Sequence, residues 1–300
     1  MKYDNSGAAK NLVAEGQDEI KELVAETEGF EKLAALLKEY TGINLPTNSK
    51  NISLMANRMR KVLKSSQVVS YKEFLRILES GDSRGRHDFV TALTTNTTHF
   101  FRENSHFEFL QQNLPAMISR KRKLASPELR IWCAAASTGP EVYSIMITLL
   151  EALGSTFLSY PIKFLATDID VKVLKKAAAG IYNKKEMEGV PSFFMQKYFE
   201  KIPNATEVTY RVLPILQSGI RFAPFNLMTE KYPFKNHFDI IFCRNVLIYF
   251  DSKTSLEVVG RLVDRLEVGG LLFLGHAEFG TMKAPKLNIL GHSIFEKRQA

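Results

Sequence analysis

The sequence predicts an α/β fold built on a doubly wound, mostly parallel sheet. Apolar runs of strand length recur in the C-terminal part of the chain, at residues 130–135, 162–169, 238–242 and 269–275. Segments with apolar residues at helical spacing lie between them, including residues 171–179 and 253–266. Strands that alternate with helices in this way are typical of a parallel sheet covered by helices on both faces.

A strand, a tight turn and a helix follow one another within residues 130–151. Ser137, Thr138 and Gly139 form the predicted turn, and the helix after it would present unpaired backbone N–H groups beyond the strand. A turn with a single glycine offers no evident cradle for a diphosphate, which argues against a nicotinamide oxidoreductase. Asp168 comes near the end of the next strand, where a carboxylate can hydrogen-bond both hydroxyls of a ribose. We therefore expect an adenosine-type ligand.

The composition is that of a globular chain without export features. The 300 residues are 45% hydrophobic and 24% charged, which is enough for two domains with cores of their own. No apolar run approaches the ~20 residues of a membrane helix, and the N-terminus lacks the apolar core of a signal peptide. Cys133 and Cys243 are the only cysteines and lie near predicted strand ends. We expect buried thiols, no disulfide and a cytoplasmic location.

The formal net charge of +8 is unevenly distributed. Residues 10–39 lean acidic, whereas residues 50–64 contain no acidic residue. On a helical wheel, residues 50–64 have an apolar side and an opposite cationic side. The cationic side is formed by Arg58, Arg60, Lys61 and Lys64. Such a face is either simply solvated or meets an acidic partner, which long-range attraction would bring to it faster. A nucleic-acid methyltransferase would need stacking aromatics and a basic groove across the predicted crevice, whereas this basic cluster lies in the predicted helical domain, so that function is disfavoured.

The chain is predicted to have four parts. Residues 1–27 are small, polar and charged without a clear apolar stripe, which predicts a mobile tail. Residues 28–105 are expected to form a helical domain, residues 106–129 a basic linker, and residues 130–300 the α/β domain. Within that last part, at about residues 193–223, a short helix and short strands interrupt the alternation and predict a small antiparallel β subdomain.

Five short motifs carry a specific resemblance when they are taken together. In chain order they are TTNTTHFFRE (94–103), AAASTG (134–139), ATDID (166–170), CRNVLIYF (243–250) and GHAE (275–278). Each motif alone is weak, but all five occur in order and at suitable spacing. Over about residues 28–298 the chain resembles the chemotaxis receptor methyltransferases, the CheR family.

The resemblance implies a fold and an activity. Members of this family combine a class I Rossmann-like methyltransferase domain, which carries a small inserted β subdomain, with an all-α N-terminal domain. They transfer a methyl group from S-adenosylmethionine to glutamate carboxylates on chemoreceptor cytoplasmic helices, giving glutamyl methyl esters for adaptation and S-adenosylhomocysteine as product. The resemblance implies no metal, no nucleic-acid partner and no membrane insertion, and we expect a monomer. For the β subdomain two interpretations stay open: it docks a receptor C-terminal peptide by strand addition, or it only caps the fold.

The resemblance also assigns site residues. Arg102 and Tyr249 match catalytic positions. The positions that match cofactor contacts are Asn96, Thr98, Arg102, Glu141, Asp168, Asn226, Leu227, Cys243, Arg244 and Asn245. Among these, Glu141 would meet the methionine ammonium, Asp168 the ribose, and Asn226 with Leu227 the adenine side. The helix that carries Arg58, Arg60, Lys61 and Lys64 corresponds to the one that contacts the receptor's helical bundle.

Methyl transfer to a carboxylate places few demands on acid–base groups. A glutamate side chain titrates at about 4.3, so the nucleophile is already ionised at neutral pH and no general base is needed. Arg102 would hold one carboxylate oxygen and leave the other free to attack, while the Tyr249 hydroxyl would orient the same group. A related protein that binds the cofactor without catalysis, as a sensor, or that modifies another protein is the alternative interpretation.

Overall fold

The structure, a computed structural model, describes residues 27–68, 70–123, 127–203, 207–281 and 286–299. The chain divides into two compact units, Met1–Thr95 and Asn96–Ala300. The tail predicted for residues 1–27 lies outside the described residues except at its last position. No described helix combines the length and the apolar character that a membrane crossing needs.

The described part of the first unit is helical. Its helices are α1 (Thr27–Thr41), α2 (Ser49–Ser66), α3 (Tyr71–Glu79) and α4 (Ser83–Leu93). Side-chain oxygens of Asn48, Ser70 and Asp82 accept backbone N–H groups at the starts of α2, α3 and α4, which is why these helices begin where they do. The core between them is formed by large apolar side chains, among them Phe30, Leu33, Leu37, Met59, Phe74 and Phe89.

The second unit is built on a seven-stranded sheet, which confirms the predicted α/β fold. Its strands are β1 (Leu129–Ala134), β2 (Ile162–Asp168), β6 (Ile220–Pro224), β7 (Phe238–Cys243), β8 (Leu266–Leu274), β9 (Leu287–Gly291) and β10 (Ile294–Lys297). They lie in the order β6-β2-β1-β7-β8-β10-β9, and among these strands β10 alone runs opposite to the other six. The longer helices packed with this sheet are α5 (Ser105–Lys121), α6 (Pro140–Leu153), α8 (Val171–Ala179) and α11 (Ser252–Asp264).

Helix α5 occupies most of the stretch predicted as a linker, residues 106–129. Its apolar side chains are buried in the same core as the inward side chains of β1, and they are Phe107, Leu110, Leu114, Met117 and Ile118. Their spacing of three and four residues places them on one face of a helix, and burying that face outweighs the exposed basic end of the segment. The second unit accordingly begins at Asn96 and not after residue 129.

A three-stranded antiparallel sheet forms the insert. Its strands are β3 (Ile181–Asn183), β4 (Phe199–Pro203) and β5 (Val208–Val212), in the order β3-β5-β4. A helix, α9 (Ser192–Tyr198), precedes β4 as predicted. The later part of the predicted subdomain behaves differently: residues 220–224 pair parallel with β2 as the edge strand β6. Residues 215–218 are predicted as a short strand, but Pro214–Gln217 is a short helix, α10, with proline at its first turn.

The short helical segments also include α7 (Thr156–Ser159), between α6 and β2, and a 3-10 turn at Leu247–Tyr249 after β7. A second 3-10 segment, His276–Thr281, follows β8. Side chains alternate between the two faces of the central strands: Ile131 and Cys133 enter one core, and Trp132 and Ala134 enter the other. The central strands are therefore buried on both faces, so the functional groups project from their ends.

Candidate active site

The carboxyl ends of β2, β1 and β7 lie side by side. Ala134 pairs with Thr167 on one side and with Cys243 on the other. Asp168 and Arg244 come next in the chain, so both leave the sheet at the same edge as the loop that follows β1. This edge of an open parallel sheet is where ligands bind in α/β folds.

Asp168 ties the loops at this edge together. Its carboxylate accepts backbone N–H groups from Ser137 at 2.8 Å and from Asp170 at 2.9 Å. Burial raises the pKa of Asp168, and the N–H donors offset part of this rise. The carbonyl oxygen of Asp168 accepts the N–H of Phe225 at 2.9 Å, which brings the following Asn226 to the same edge. A carboxylate offers about four acceptor sites, so part of this capacity is left for a ligand.

Arg244 is the buried centre of an ion-pair network. Its side chain is fully buried and donates from Nη1 to Glu141 at 2.8 Å and from Nη2 to Glu103 at 2.9 Å. Nη2 also donates to the carbonyl oxygen of Arg102. Burial raises the pKa of Glu141, and Arg244 offsets part of the rise. The resemblance assigns Arg244 to the cofactor contacts, whereas its side chain is used within the protein to hold Glu141, Glu103 and the Arg102 carbonyl.

Glu141 is less free than its predicted role requires. One of its oxygens pairs with Arg244, and the other accepts the Cys133 thiol at 3.3 Å. Its side chain is 12% exposed, so it lies at the wall of the crevice as part of the network. Burial and the neighbouring Glu141 raise the pKa of the Cys133 thiol well above its usual value, so that thiol stays protonated.

The segment from Asn96 to Glu103 joins the loops of the sheet. The Asn96 carbonyl accepts the Ser137 hydroxyl at 3.2 Å, and the Phe101 N–H donates to the Ser144 hydroxyl at 2.9 Å. Phe100 is buried against two aromatic rings. The Arg102 guanidinium makes one hydrogen bond among the described residues, to the Thr97 carbonyl at 3.2 Å.

Glu103 is a site residue that sequence reasoning missed. Its carboxylate accepts the Asn245 amide at 3.1 Å, an Arg244 N–H, and the backbone N–H of His276 at 3.2 Å. Burial alone would raise the pKa of Glu103, but these donors hold it at about 2. The signal was present in the sequence, because Glu103 closes the first of the five motifs.

Unusual backbone conformations concentrate in these loops. Five non-glycine residues here have φ between 51° and 62°, and they are Phe101, Glu103, Ala135, Ser137 and Asn245. L-residues adopt this left-handed region at a cost of about 1–3 kcal/mol each, and such strain gathers at functional sites. Gly139, with φ of 98°, begins α6 where an added Cβ would lie 2.8 Å from the Tyr182 hydroxyl.

Glu278 is a second residue to which the sequence assigned no role. Its carboxylate accepts the backbone N–H groups of Gly275 at 2.5 Å, Asn245 at 3.1 Å, Leu247 at 2.7 Å and Ile248 at 3.3 Å. It is buried, and burial raises its pKa while the four donors counteract that rise. Glu278 thus fixes the loop that runs from Arg244 to Tyr249.

The remaining predicted cofactor residues take no part in the ion-pair network described above. Cys243 is fully buried at the end of β7 and Leu227 is buried in the same core, so neither offers a free polar group through its side chain. Asn226 accepts the Met228 N–H on its side-chain oxygen at 2.9 Å. Thr98 is half-buried.

Tyr249 is half-buried and comes four residues after Asn245 in the loop that Glu278 holds. Among the described residues its hydroxyl has no hydrogen-bond partner. A phenol in this state keeps both its donor and its acceptor capacity for a ligand or substrate.

Three of the four basic side chains predicted on one face of α2 are exposed. Arg60, Lys61 and Lys64 are exposed on α2. Arg58 instead donates to the carbonyl oxygens of Leu93 at 2.9 Å and Thr94 at 3.1 Å, and so caps the end of α4. Its guanidinium is used within the unit.

Two histidines flank the ion-pair network. His106, fully buried on α5, lies with its ring 4.9 Å from that of the exposed His276. Its Nε2 lies 2.7 Å from the carbonyl oxygen of His292, and its Nδ1 lies 3.8 Å from Glu103 Oε2. Burial and the nearby Arg244 charge lower the pKa of His106 to about 4.

Comparison with known proteins identifies the family. The family model for the CheR methyltransferase, SAM binding domain, matches residues 96–290, which is more than half of the chain. The chemotaxis protein methyltransferase of Escherichia coli is 37% identical over 267 residues, 89% of both chains. That of Klebsiella aerogenes is 33% identical over 98% of both chains, and chemotaxis protein methyltransferase 2 of Pseudomonas aeruginosa is 36% identical over 89% of this chain and 92% of its own. The chain therefore belongs to the CheR family of S-adenosylmethionine-binding chemotaxis methyltransferases.

Proposed function

We propose that this protein transfers the methyl group of S-adenosylmethionine to glutamate carboxylates on the cytoplasmic helices of chemoreceptors, giving glutamyl methyl esters. The observation that carries the proposal is the state of Arg102. Its guanidinium makes a single hydrogen bond among the described residues, to Thr97, while its own carbonyl is anchored by the buried Arg244. Most of its five N–H donors are therefore available to a carboxylate from outside, in the bidentate geometry that guanidinium groups favour.

The residues at the strand ends fit S-adenosylmethionine. Asp168, buried and oriented by two loops, suits the hydroxyls of a ribose. The Arg244 network leaves Glu141 and Glu103 as a partly neutralised acidic wall, which suits a cation such as the sulfonium or the methionine ammonium. The turn before α6 holds one glycine and a close Tyr182 hydroxyl, which fits a ligand without a diphosphate. We assign the ammonium to this wall as a whole and not to Glu141 alone.

When bound, the cofactor supplies the electrophilic methyl group. The protein's part is then to orient the substrate and to exclude water, since the substrate carboxylate is ionised at neutral pH. Arg102 would hold one carboxylate oxygen and leave the other facing the methyl group. Tyr249, with its free hydroxyl on a loop that Glu278 fixes, would orient the same carboxylate.

The partner is proposed to be the acidic helical part of the receptor. Arg60, Lys61 and Lys64 are exposed on one helix of the first unit, and this charge would attract acidic helices. The antiparallel β3-β5-β4 sheet leaves β3 and β4 as edges, which suits docking of a receptor C-terminal peptide by strand addition. A cytoplasmic monomer is part of the same proposal.

The direct test is transfer of labelled methyl groups from S-adenosylmethionine to chemoreceptor cytoplasmic fragments. We expect base-labile label, as a methyl ester requires. The label should disappear with Arg102→Ala and with receptor fragments whose methylated glutamates are replaced by alanine. A protein that binds the cofactor but labels no receptor would overturn the proposal and favour a sensor or another protein substrate.

A further inference from the structure

Three side chains at one edge of the second unit converge without a bond between them. Glu103, His106 and His276 each offer a ligand atom, and these atoms all lie within 4.8 Å of one another. Glu103 and His106 are three residues apart at the start of helix α5, and His276 comes from the GHAE motif, so the fold brings together two distant parts of the chain. The mechanism proposed above uses none of the imidazole rings.

The Nδ1 atom of His106 is the first reason to expect a ligand here. The ring is fully buried, and its Nε2 faces a backbone carbonyl oxygen of His292 at 2.7 Å. A carbonyl only accepts, so Nε2 carries the proton and Nδ1 of the neutral ring presents a lone pair. That Nδ1 has no hydrogen-bond partner among the described residues. A buried acceptor without a partner is rare and costly in folded proteins.

What the lone pair faces is the second reason. Glu103 Oε2 lies 3.8 Å away and is itself an acceptor, which takes an Arg244 N–H and the His276 backbone N–H. Two acceptors that face each other can be bridged by a cation or by a donor such as water, and the titration below separates the two. A zinc ion bonds imidazole nitrogen and carboxylate oxygen at about 2.0–2.2 Å, so an ion in line between these atoms spans about 4 Å. The observed separation therefore admits an ion with a bent arrangement.

The surroundings match those of known imidazole ligands. A histidine that binds a metal usually donates its other ring N–H to a carbonyl or carboxylate, as His106 does to His292. His276 is exposed, so its ring can turn to complete three protein ligands. The positive charge of Arg244, which pairs with Glu103, repels a metal ion bound to the same carboxylate. The Arg244 charge is offset by Glu141 as well, which leaves the cluster of these three charged side chains with one net negative charge.

We propose that Glu103, His106 and His276 form a binding site for one divalent ion of the zinc class, with open positions toward solvent. Two imidazoles and a carboxylate are a donor set that suits Zn²⁺ or Co²⁺ and disfavours Mg²⁺ and Ca²⁺, which take oxygen ligands. The ion would share Glu103 with Arg244, Asn245 and the backbone N–H of His276. The site therefore gives a divalent ion a direct contact with the residues that line the cofactor crevice.

The test is metal titration of the full-length, metal-free protein, with Zn²⁺ followed by calorimetry and Co²⁺ by visible absorption. We expect one ion per chain. His276→Gln should lower the affinity at least about tenfold while the protein stays folded, because this ring is exposed. His106→Gln should do the same. His237→Gln is the matched control, since His237 is exposed and outside the cluster, and it should bind like the parent.

Three results would overturn the site. The first is the absence of stoichiometric binding in the parent protein. The second is a His276→Gln affinity equal to that of His237→Gln. The third is a Co²⁺ spectrum with a strong thiolate charge-transfer band, which would assign the ion to a cysteine. Any binding of Mg²⁺ should be the same in the parent protein and in the two histidine variants, since Mg²⁺ does not favour imidazole ligands.

Discussion

The guanidinium of Arg244 and the carboxylate of Glu141 are joined by a 2.8 Å hydrogen bond inside the second unit, although they are 103 residues apart in the chain. The pair links the end of β7 to the start of α6. With Glu103 as the second carboxylate, it fixes three of the loops at the carboxyl edge of the sheet. The ion pairs that fix these loops are therefore made by residues that line the candidate site.

Removal of the Arg244 charge is expected to be severe. Arg244→Met would leave two largely buried carboxylates, Glu141 and Glu103, without their cationic partner, so we expect a loss of about 3–5 kcal/mol in the free energy of unfolding. The measurement is urea denaturation followed by circular dichroism. Lys286→Met is the control, because its pair with Asp264 is more than half exposed and should be worth at most about 1 kcal/mol. Equal losses in the two variants would contradict the importance of the network.

Gly139 and Gly154 flank α6 and are constrained in different ways. A Cβ at Gly139, which lies in the αL region, would meet Tyr182 and Ala177 within 3 Å. A Cβ at Gly154 meets nothing within 4 Å, but the backbone there, at φ 51° and ψ −129°, lies outside the αL region. Gly154→Ala should therefore cost about 1–3 kcal/mol from backbone strain alone.

Gly139→Ala should lower the free energy of unfolding by about 1–3 kcal/mol from overpacking, in addition to the backbone penalty at Gly139. It should also weaken cofactor binding, because the turn at the crevice must shift. Thermal unfolding and calorimetric titration with S-adenosylhomocysteine measure the two effects. A Gly139→Ala loss of no more than about 1–2 kcal/mol, the penalty of an L-residue in the αL region, would show that the close contacts are relieved without cost.

The spacing of apolar residues predicted the helices and strands of the central sheet because that spacing determines locally which face of each element is buried. Residues 171–179 were predicted as a helix and are one, since their apolar spacing and Gly180 define its length. The stretch 106–129 was interpreted through its basic end, although Phe107, Leu110 and Leu114 already showed helical spacing. The parallel pairing of residues 220–224 with β2 depends on topology, and nothing in five residues of strand encodes a partner.

The candidate site was predictable where a residue's type limits its chemistry. Asp168 at a strand end is one such case. Glu103 and Glu278 escaped prediction because a carboxylate that accepts backbone N–H groups from distant loops has no local sequence pattern. Arg58 was misplaced for a related reason: a helical wheel shows which side of α2 it is on, but not that the end of α4 lies within its reach.

Glu278 is expected to act as a positioning residue for the loop that carries Asn245 and Tyr249. In Glu278→Gln one oxygen becomes an NH2 group that faces backbone N–H donors, so we expect a loss of at least about 2 kcal/mol in stability. Below the unfolding transition, kcat should fall more than the affinity for S-adenosylmethionine. Glu257→Gln, at an exposed position of α11, is the control and should leave both quantities unchanged. A Glu278→Gln enzyme with normal kcat would show that the loop holds its shape without the carboxylate.

Tyr249→Phe tests the free hydroxyl. Because that hydroxyl has no partner among the described residues, its removal should cost little stability, within about 0.5 kcal/mol. If the hydroxyl orients the substrate carboxylate, kcat should fall by about 100-fold with unchanged binding of S-adenosylhomocysteine. Tyr210→Phe, in the β3-β5-β4 sheet, provides a matched loss of one hydroxyl away from the strand ends. Normal turnover in Tyr249→Phe would remove it from the catalytic set.

The basic face of α2 is expected to act on encounter and not on chemistry. Lys61→Glu and Lys64→Glu should lower kcat/KM for receptor fragments about tenfold at low salt, and the loss should shrink as salt screens the charges. The kcat at saturating receptor should stay unchanged, because neither lysine belongs to the cofactor crevice. Lys72→Glu, exposed on α3, changes the net charge equally without altering α2. If it lowers kcat/KM as much, the attraction comes from net charge and not from this face. Arg58 is excluded from the series, since its reversal would break the cap on α4 and confound binding with stability.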